Sequence, residues 1–231
     1  MTISLMKYFG IEFRTDKNII EILSGNYSRE LFRVENDWSS ASFWYEIAAL
    51  SESAEILLKD LNKKSIQGDA AIDEIMKSFG VYSENTGKDL IIRKQENVKL
   101  ASFFEYDFSS CPDIVIPVAV VCAALKIKSV FKGVKNLRIK ESDRLQSLKN
   151  ELEKIGAEVN LDEDSFSIQP ASSKFNNEVF HSYNDHRMVM AIAPLSLVFD
   201  NISIDDHLPV KKSYPGFWDQ FNDAGFTYEI T

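Results

Sequence analysis

The amino-acid sequence predicts an α/β protein built from repeated units with buried helices. The first observation is a recurring pattern, in which the end of a helix is followed by a glycine, a short strand, a polar turn and a second strand. The pattern surrounds Gly10, Gly80 and Gly156, and a partial fourth copy ends the chain at Gly225. The spacing of the copies leaves room for two helices and about four strands in each unit.

The second observation is that the helices between these copies are too apolar to lie on a surface. A helix over residues 37–50 begins with capping residues and continues apolar. Residues 113–125 and 185–198 are predicted to be buried helices, although Pro117 is expected to disturb the first turns of the former. Short strands are expected after the helices, at residues 55–58, 126–131 and 202–204.

A domain boundary is expected near Glu35. Residues 1–35 hold a helix end and about three strands, which is too little to form a core. We therefore expect them to be the remnant of a domain whose other part is missing. Residues 36–231 are expected to form the second domain, which is nearly complete.

Composition excludes several classes of protein. The formal net charge is −9, whereas non-specific nucleic-acid binding needs a basic face. Cys111 and Cys122 have no metal-binding or redox spacing, which predicts a reduced, cytoplasmic protein. His181, His186 and His207 are too few and too scattered to predict a metal site. No apolar run reaches the roughly 20 residues of a membrane span, and the N-terminus lacks the layout of a signal peptide.

A charged stretch before a helix is the first candidate site. Leucines at helical spacing follow it, with Ser142 as the expected N-cap. Free N–H groups at a helix N-terminus, together with nearby cations, suit a phosphate or a carboxylate. A solvated charge cluster paired with itself is the alternative. The charged residues are Arg138, Lys140, Glu141, Asp143 and Arg144.

Two further stretches lie at the starts of the apolar helices. Asp113 precedes the first of them, where it is either an N-cap or a general base facing a pocket. Asn184 or Asp185 caps the other helix, which places His186 and Arg187 in its first turn. An arginine there suits a bidentate contact with a carboxylate or phosphate, or else a structural ion pair.

A final stretch, Lys211-Lys212 before an aromatic–proline turn, is weak evidence alone and is also typical of solvated lysines. Together, however, these motifs resemble the EPSP synthase family (3-phosphoshikimate 1-carboxyvinyltransferases). The motifs are Lys-Glu-Ser-Asp-Arg-Leu at 140–145, Tyr-Asn-Asp-His-Arg-Met at 183–188, Lys-Ser-Tyr-Pro at 212–215, Pro112-Asp113, and Asp-Trp-Ser-Ser-Ala-Ser at 37–42.

The resemblance covers the whole chain but only about the C-terminal half of the family. The family's N-terminal Lys-Ser loop, Asn-Ala-Gly-Thr motif and Ser-Ser-Gln segment are absent, so we expect a fragment or a truncated form. The resemblance implies the enolpyruvyl-transferase fold, with two domains of three βαβαββ units each. Residues 1–35 would then end the upper domain, and residues 36–231 would form most of the lower domain.

The resemblance also implies a reaction in chorismate and aromatic amino-acid biosynthesis. The enolpyruvyl group of phosphoenolpyruvate is transferred to the 5-hydroxyl of shikimate 3-phosphate, and phosphate is released. No metal or organic cofactor is implied. The expected partners are the two substrates and the missing N-terminal half of the same protein.

Site residues follow from the same resemblance. Asp113, Asn136 and Lys140 match shikimate 3-phosphate ligands, and Asp113 is also a candidate base for the 5-hydroxyl. One departure is Leu137, where many members carry tryptophan, and no catalytic consequence is expected.

The phosphoenolpyruvate side of the site matches a second group of residues. Glu141 matches the acid–base residue for the methylene carbon, and Arg144 and Arg187 match the carboxylate clamp. Lys212 matches a lysine near the bridging oxygen and leaving phosphate, and His186 lines the site. The division of the proton transfers among the three catalytic candidates stays open.

Two alternatives remain at this point. The sister enolpyruvyl transferase that acts on UDP-N-acetylglucosamine shares the fold, although its site motifs differ. The other alternative is a non-catalytic, anion-binding fragment, since half of the site is expected to be missing.

Overall fold

The computed structural model describes residues 1–28, 31–171 and 175–231 as a mixed α/β structure. Its helices are α1 (Thr2–Tyr8), α2 (Trp38–Leu50), α3 (Ile72–Ile75), α4 (Val115–Ala124), α5 (Arg144–Lys154), α6 (His186–Ile192) and α7 (Phe217–Asp223). Its strands are β1 (Phe13–Asp16), β2 (Ile19–Ile22), β3 (Glu55–Leu58), β4 (Val81–Thr86), β5 (Asp89–Lys94), β6 (Phe103–Asp107), β7 (Lys128–Lys132), β8 (Ala157–Leu161), β9 (Ser165–Pro170), β10 (Val179–Phe180) and β11 (Ser203–Ile204). Within these ranges, none of the helices is long and apolar enough to cross a membrane.

The predicted helix–glycine–strand pattern is confirmed at its three full copies. Gly10, Gly80 and Gly156 all have positive φ, which a side chain would disfavour, and each leads towards an antiparallel strand pair. The fourth copy is wrong in part. Helix α7 and a positive-φ Gly225 are present, but the described residues after Gly225 form no strand.

The strands form separate sheets rather than one. β1 pairs with β2, and β3, β5 and β4 form an antiparallel sheet in that order. The order β6-β7-β9-β8 gives a mixed sheet, in which β6 and β7 are parallel and the other neighbours are antiparallel. β10 and β11 make a short parallel pair.

Helices α2, α4 and α6 pack together inside the molecule, as their apolar sequences predict. Helix α4 begins at Val115 rather than at 113, after the 3-10 turn Pro112–Ile114. Pro117 is accommodated because it lies in the first helical turn, where an N–H has no intrahelical partner. The helix predicted to reach residue 198 is α-helical only to Ile192, because Pro194 cannot donate the next hydrogen bond, and a 3-10 segment continues it.

The first part of the chain packs differently from the rest. Helix α1 has no buried residue, and the β1–β2 hairpin is exposed along most of its length. Arg33 forms an ion pair with Asp60, and the Asn36 amide donates to the Lys59 carbonyl at 2.7 Å. These contacts attach the connecting segment to the edge of the larger core.

Candidate functional site

The candidate site lies where the N-terminal ends of α4, α5 and α6 meet. Asp113 lies in the turn that leads into α4, and Asp185 caps α6 by accepting from the Arg187 backbone N–H at 3.0 Å. Arg144, the first residue of α5, forms ion pairs with both aspartates. The fold thus brings together side chains that lie 31 and 41 residues from Arg144 in sequence.

The N-cap of α5 differs from the prediction. Asp143 caps the helix and accepts from the Gln146 N–H at 3.1 Å, while the predicted cap Ser142 places its hydroxyl 3.3 Å from Asp185. Serine and aspartate are both good caps, so sequence preference could not choose between neighbours. Because the helix starts one residue later, Ser142 is free to join the site.

The Arg144–Asp185 pair is the buried centre of the site. Arg144 Nε donates to Asp185 Oδ2 at 2.7 Å and Nη2 donates to Oδ1 at 3.3 Å, which makes a two-point contact. The Asp185 side chain is fully buried, and that of Arg144 is 4% exposed. Burial alone would raise the pKa of Asp185, but the Arg144 guanidinium holds that pKa below its usual range.

Asp113 is surrounded by cations and is not the side-chain cap that the sequence allowed. Its carboxylate lies 3.1 Å from Arg144 Nη1, 3.4 Å from Lys140 Nζ and 3.6 Å from Arg187 Nη2. Burial opposes ionisation, yet Arg187, Lys140 and Arg144 together hold the pKa of Asp113 below its usual range. Arg187 also donates from Nη1 to the Asp113 backbone carbonyl at 3.2 Å, which ties α6 to the start of α4.

Glu141 links the remaining candidates. Lys212 Nζ donates to Glu141 Oε1 at 2.6 Å, and Arg144 Nη2 donates to Oε2 at 3.2 Å. His186 Nδ1 lies 3.0 Å from the same Oε2 without the geometry of a hydrogen bond. Burial lowers the pKa of His186, Glu141 opposes this and Arg187 adds to it, so the ring is mainly neutral near pH 7.

Asn136 is the one predicted site residue that forms no hydrogen bond with this cluster of charged side chains among the described residues. It is exposed on the 3-10 segment Lys135–Ile139. Among the described residues, the side chains of Asp113 and Glu141 form hydrogen bonds with other partners and not with Asn136. Leu137, at the position of the family's tryptophan, is fully buried. It therefore packs in the core rather than at the site.

Sequence reasoning missed Asp69. This carboxylate lies on the 3-10 turn Gly68–Ala71 and accepts a hydrogen bond from Ser39 in the first turn of α2. Burial raises the pKa of Asp69, while attraction to Arg187 opposes the rise and Asp113 adds to it. The sequence signal beside it was Gly68, since a glycine can mark a close approach of two backbone segments. In the structure, a Cβ at Gly68 would lie 2.5 Å from the Ser110 carbonyl oxygen. Such a close approach brings Asp69 near the segment that carries Asp113.

The donor set does not suit a metal ion. Glu141, Asp185 and His186 place one ligand atom each within 4.8 Å of one another. The same carboxylates, however, already bind Arg144 and Lys212. A divalent cation would have to displace these fixed positive charges, whereas an anion would be attracted by them.

The arrangement therefore combines anion binding with proton transfer. Two carboxylates, Asp113 and Glu141, are partly exposed on the surface where Arg187 and Lys212 also lie. The cations can bind an anionic ligand, and the neighbouring carboxyl groups can exchange a proton with it.

Comparisons with known proteins show the family to which the chain belongs. The chain matches the profile of the family described as EPSP synthase (3-phosphoshikimate 1-carboxyvinyltransferase) over residues 1–221. A 3-phosphoshikimate 1-carboxyvinyltransferase from Bacteroides fragilis is 38% identical over 234 aligned positions, which cover 100% of this chain and 56% of that protein. A second, from Methanospirillum hungatei, is 34% identical over 225 positions, which cover 95% of this chain and 51% of that protein.

Solved structures show the same fold. EPSP synthase from Acinetobacter baumannii superposes with a TM-score of 0.73 and 25% identity, covering 100% of this chain and 55% of that one. The enolpyruvyl transferase NikO from Streptomyces tendae gives a TM-score of 0.59 at 13% identity, with coverage of 96% and 52%, and supports the fold alone. The chain spans about half the length of the curated relatives it matches.

Proposed function

The chain belongs to the EPSP synthase family, and we propose from this premise that it takes part in enolpyruvyl transfer. The enolpyruvyl group of phosphoenolpyruvate would pass to the 5-hydroxyl of shikimate 3-phosphate, with release of phosphate. The observation that carries the proposal is the meeting of Asp113 and Glu141 with Arg144, Arg187 and Lys212 at one surface. An addition–elimination through a tetrahedral intermediate needs acid–base groups and several fixed cations of this kind.

Arg187 is the better placed of the two clamp arginines. All three Arg144 nitrogens are already engaged by carboxylates, and its side chain is 4% exposed. Arg187 contacts Asp113 at 3.2 and 3.6 Å and has no comparable buried partner among the described residues. We therefore assign the phosphoenolpyruvate carboxylate chiefly to Arg187, with Arg144 holding the carboxylates in place.

Glu141 and Lys212 form the acid–base part of the proposal. The two are in contact at 2.6 Å, and His186 lies behind Glu141. A phosphate group that attracts Lys212 would leave Glu141 beside a negative charge, which favours the protonated acid needed at the methylene carbon. Asp113, with Lys140 at 3.4 Å, would then face the hydroxyls of shikimate 3-phosphate, and Asn136 would bind the same substrate from the neighbouring exposed segment.

The division of the chain belongs to the same proposal. Residues 1–35 would end an upper domain, and residues 36–231 would form the lower domain and one wall of a cleft. The other half of the protein would supply the groups that bind the shikimate 3-phosphate phosphate and close the cleft. A cytoplasmic location is proposed with it, which two buried, unpaired cysteines, Cys111 and Cys122, support.

The clamp is tested by titrating the chain with phosphoenolpyruvate and following its NMR spectrum. We expect millimolar binding, about −4 kcal/mol. Arg187→Ala should weaken binding more than tenfold because a charge-assisted contact is lost, and Arg187→Lys should recover little because a point charge cannot replace the fork. Arg93→Lys, at an exposed ion pair on β5, is the matched control. Near wild-type binding by Arg187→Lys would exclude a fork contact.

Release of inorganic phosphate separates the proposal from its alternatives. Residues 1–231 alone should give no turnover, because positioning and water exclusion supply much of the barrier reduction. Adding the N-terminal half of a full-length relative should restore turnover with shikimate 3-phosphate and not with UDP-N-acetylglucosamine. Robust turnover by the chain alone would show that its own residues complete the site.

A further inference from the structure

The segment that leads into α6 has an unusual backbone. Tyr183 and Asn184 are consecutive and both left-handed, with φ of 53° and 54°. Asparagine tolerates this conformation, but a bulky residue such as tyrosine rarely adopts it because it is strained. The next three residues are Asp185, His186 and Arg187, so the direction in which they leave the turn depends on this pair.

Helix α5 holds the segment at its start. The Tyr183 hydroxyl donates to Glu151 Oε1 at 2.7 Å, and the His181 backbone N–H donates to Glu151 Oε2 at 3.0 Å. Lys154 also donates to Glu151, at 2.7 Å, and Asn150 donates to the Tyr183 hydroxyl at 3.2 Å. Glu151 is 1% exposed, so these donors replace the water that its carboxylate has lost.

The same helix also holds the end of the segment. Arg144 lies two turns before Glu151 on α5, which places both side chains on one face of the helix. Arg144 Nε donates a hydrogen bond to Asp185. Asp205, which follows β11, also contacts His181 Nδ1 at 2.9 Å and accepts from the Ser182 N–H at 2.8 Å. The left-handed pair is therefore fixed between two points of attachment on a single helix.

We propose that Glu151 and Tyr183 are positioning residues that aim His186 and Arg187 at the anion site. Neither touches the proposed ligand. Their hydrogen bond keeps residues 183–184 left-handed, and this turn sets where the first residues of α6 point. The inference rests on the proposed function only in naming phosphoenolpyruvate as the anion. The left-handed turn at residues 183–184 and its hydrogen bonds do not depend on which anion binds.

The experiment compares three single variants of residues 1–231. Tyr183→Phe and Glu151→Gln change the proposed positioning residues, and Tyr82→Phe on β4 is the matched control. Three quantities are measured by NMR: the phosphoenolpyruvate affinity, the Arg187 Nε–Hε resonance and the titration of His186. Glu141, Asp185, Arg144 and Arg187 face His186 and are unchanged in these variants. A loss of global stability alone would move none of the three at temperatures where the protein stays folded.

For Tyr183→Phe we expect a loss of affinity of about three- to tenfold, the range of one net hydrogen bond. The pKa of His186, which burial now lowers, should rise towards 6.5 as the ring becomes exposed. Tyr82→Phe should change nothing.

Unchanged affinity, Arg187 resonance and His186 titration in Tyr183→Phe would overturn the proposal. So would the same losses in Tyr82→Phe. If Arg187→Ala binds phosphoenolpyruvate normally, the proposed function fails. A shifted His186 titration in Tyr183→Phe would still support the positioning role in that case, so the two failures are distinguishable.

Discussion

The start of α6 and the middle of α2 each bury a carboxyl group completely, but in opposite ways. Asp185, at the start of α6, is matched by Arg144 and by backbone and hydroxyl donors. Glu46, in α2, has no hydrogen-bond partner for either oxygen among the described residues. Arg144 keeps the pKa of Asp185 below its usual range despite burial, whereas burial raises the pKa of Glu46 well above 4.5.

The comparison shows how one helix core holds both charged and neutral acids. Where three helix N-termini meet, cations are supplied by other elements, so carboxylates remain ionised. In the middle of the core no cation among the described residues acts on Glu46, so burial favours the neutral acid. The ionised carboxylates that contact Arg144 therefore lie at the end where the anion site is proposed, and Glu46 lies away from that end.

The largest effect should come from breaking the matched pair. Asp185→Asn leaves the Arg144 guanidinium buried without its main counter-charge, which should lower the free energy of unfolding by about 3 kcal/mol. The loss stays near the low end of the usual range because Asp113 and Glu141 still contact Arg144. Urea unfolding measures it. Asp60→Asn, at an exposed ion pair with Arg33, should cost less than about 1 kcal/mol, and equal losses in the two variants would refute the comparison.

The unmatched acid should give a smaller effect of opposite sign. Glu46→Met removes a buried carboxyl without partners and should raise the free energy of unfolding at pH 8 by about 1–3 kcal/mol. The folded-state pKa of Glu46 is raised, so the folded protein binds the extra proton and loses stability as pH rises from about 4.5 towards the folded pKa. Glu46→Met has no carboxyl group at this position, so its stability does not fall with rising pH for this reason.

Urea unfolding at pH 5 and pH 8 tests this, with the exposed Glu52→Gln as control. The gain from Glu46→Met should be larger at pH 8 than at pH 5. A gain that does not depend on pH would mean that Glu46 keeps the same charge in the folded and unfolded states.

The smallest effect is expected at Asp69, which lies between the two extremes. It has a hydroxyl partner in Ser39 and a cation nearby in Arg187, and burial raises its pKa. Asp69→Asn removes a negative charge near the anion site, so phosphoenolpyruvate affinity should rise about twofold. The exposed Asp16→Asn on β1 is the control in the same titration. Weaker binding by Asp69→Asn would instead show that Asp69 orients Arg187.

Sequence patterns predicted the features that depend on neighbouring residues. Apolar runs identified α2 and α4, and the glycines marked the helix ends, because both signals are local. The charged motifs identified the residues that meet at the site. Asp69 and Glu46 were missed because their surroundings come from elements distant in sequence. Residue type alone also could not choose between Ser142 and Asp143 as the cap, or show that Asp113 faces cations rather than a free N–H.

The β1–β2 hairpin determines how such measurements can be made. It is a two-stranded sheet without a further strand beside it in the described ranges, and Ile19, Ile20 and Ile22 are 51–68% exposed on it. Open strand edges with isoleucine side chains promote edge-to-edge association between molecules. The net charge of −9 keeps copies apart at low ionic strength, and salt screens that repulsion. Dilute protein and low salt should therefore limit association through this hairpin during the titrations.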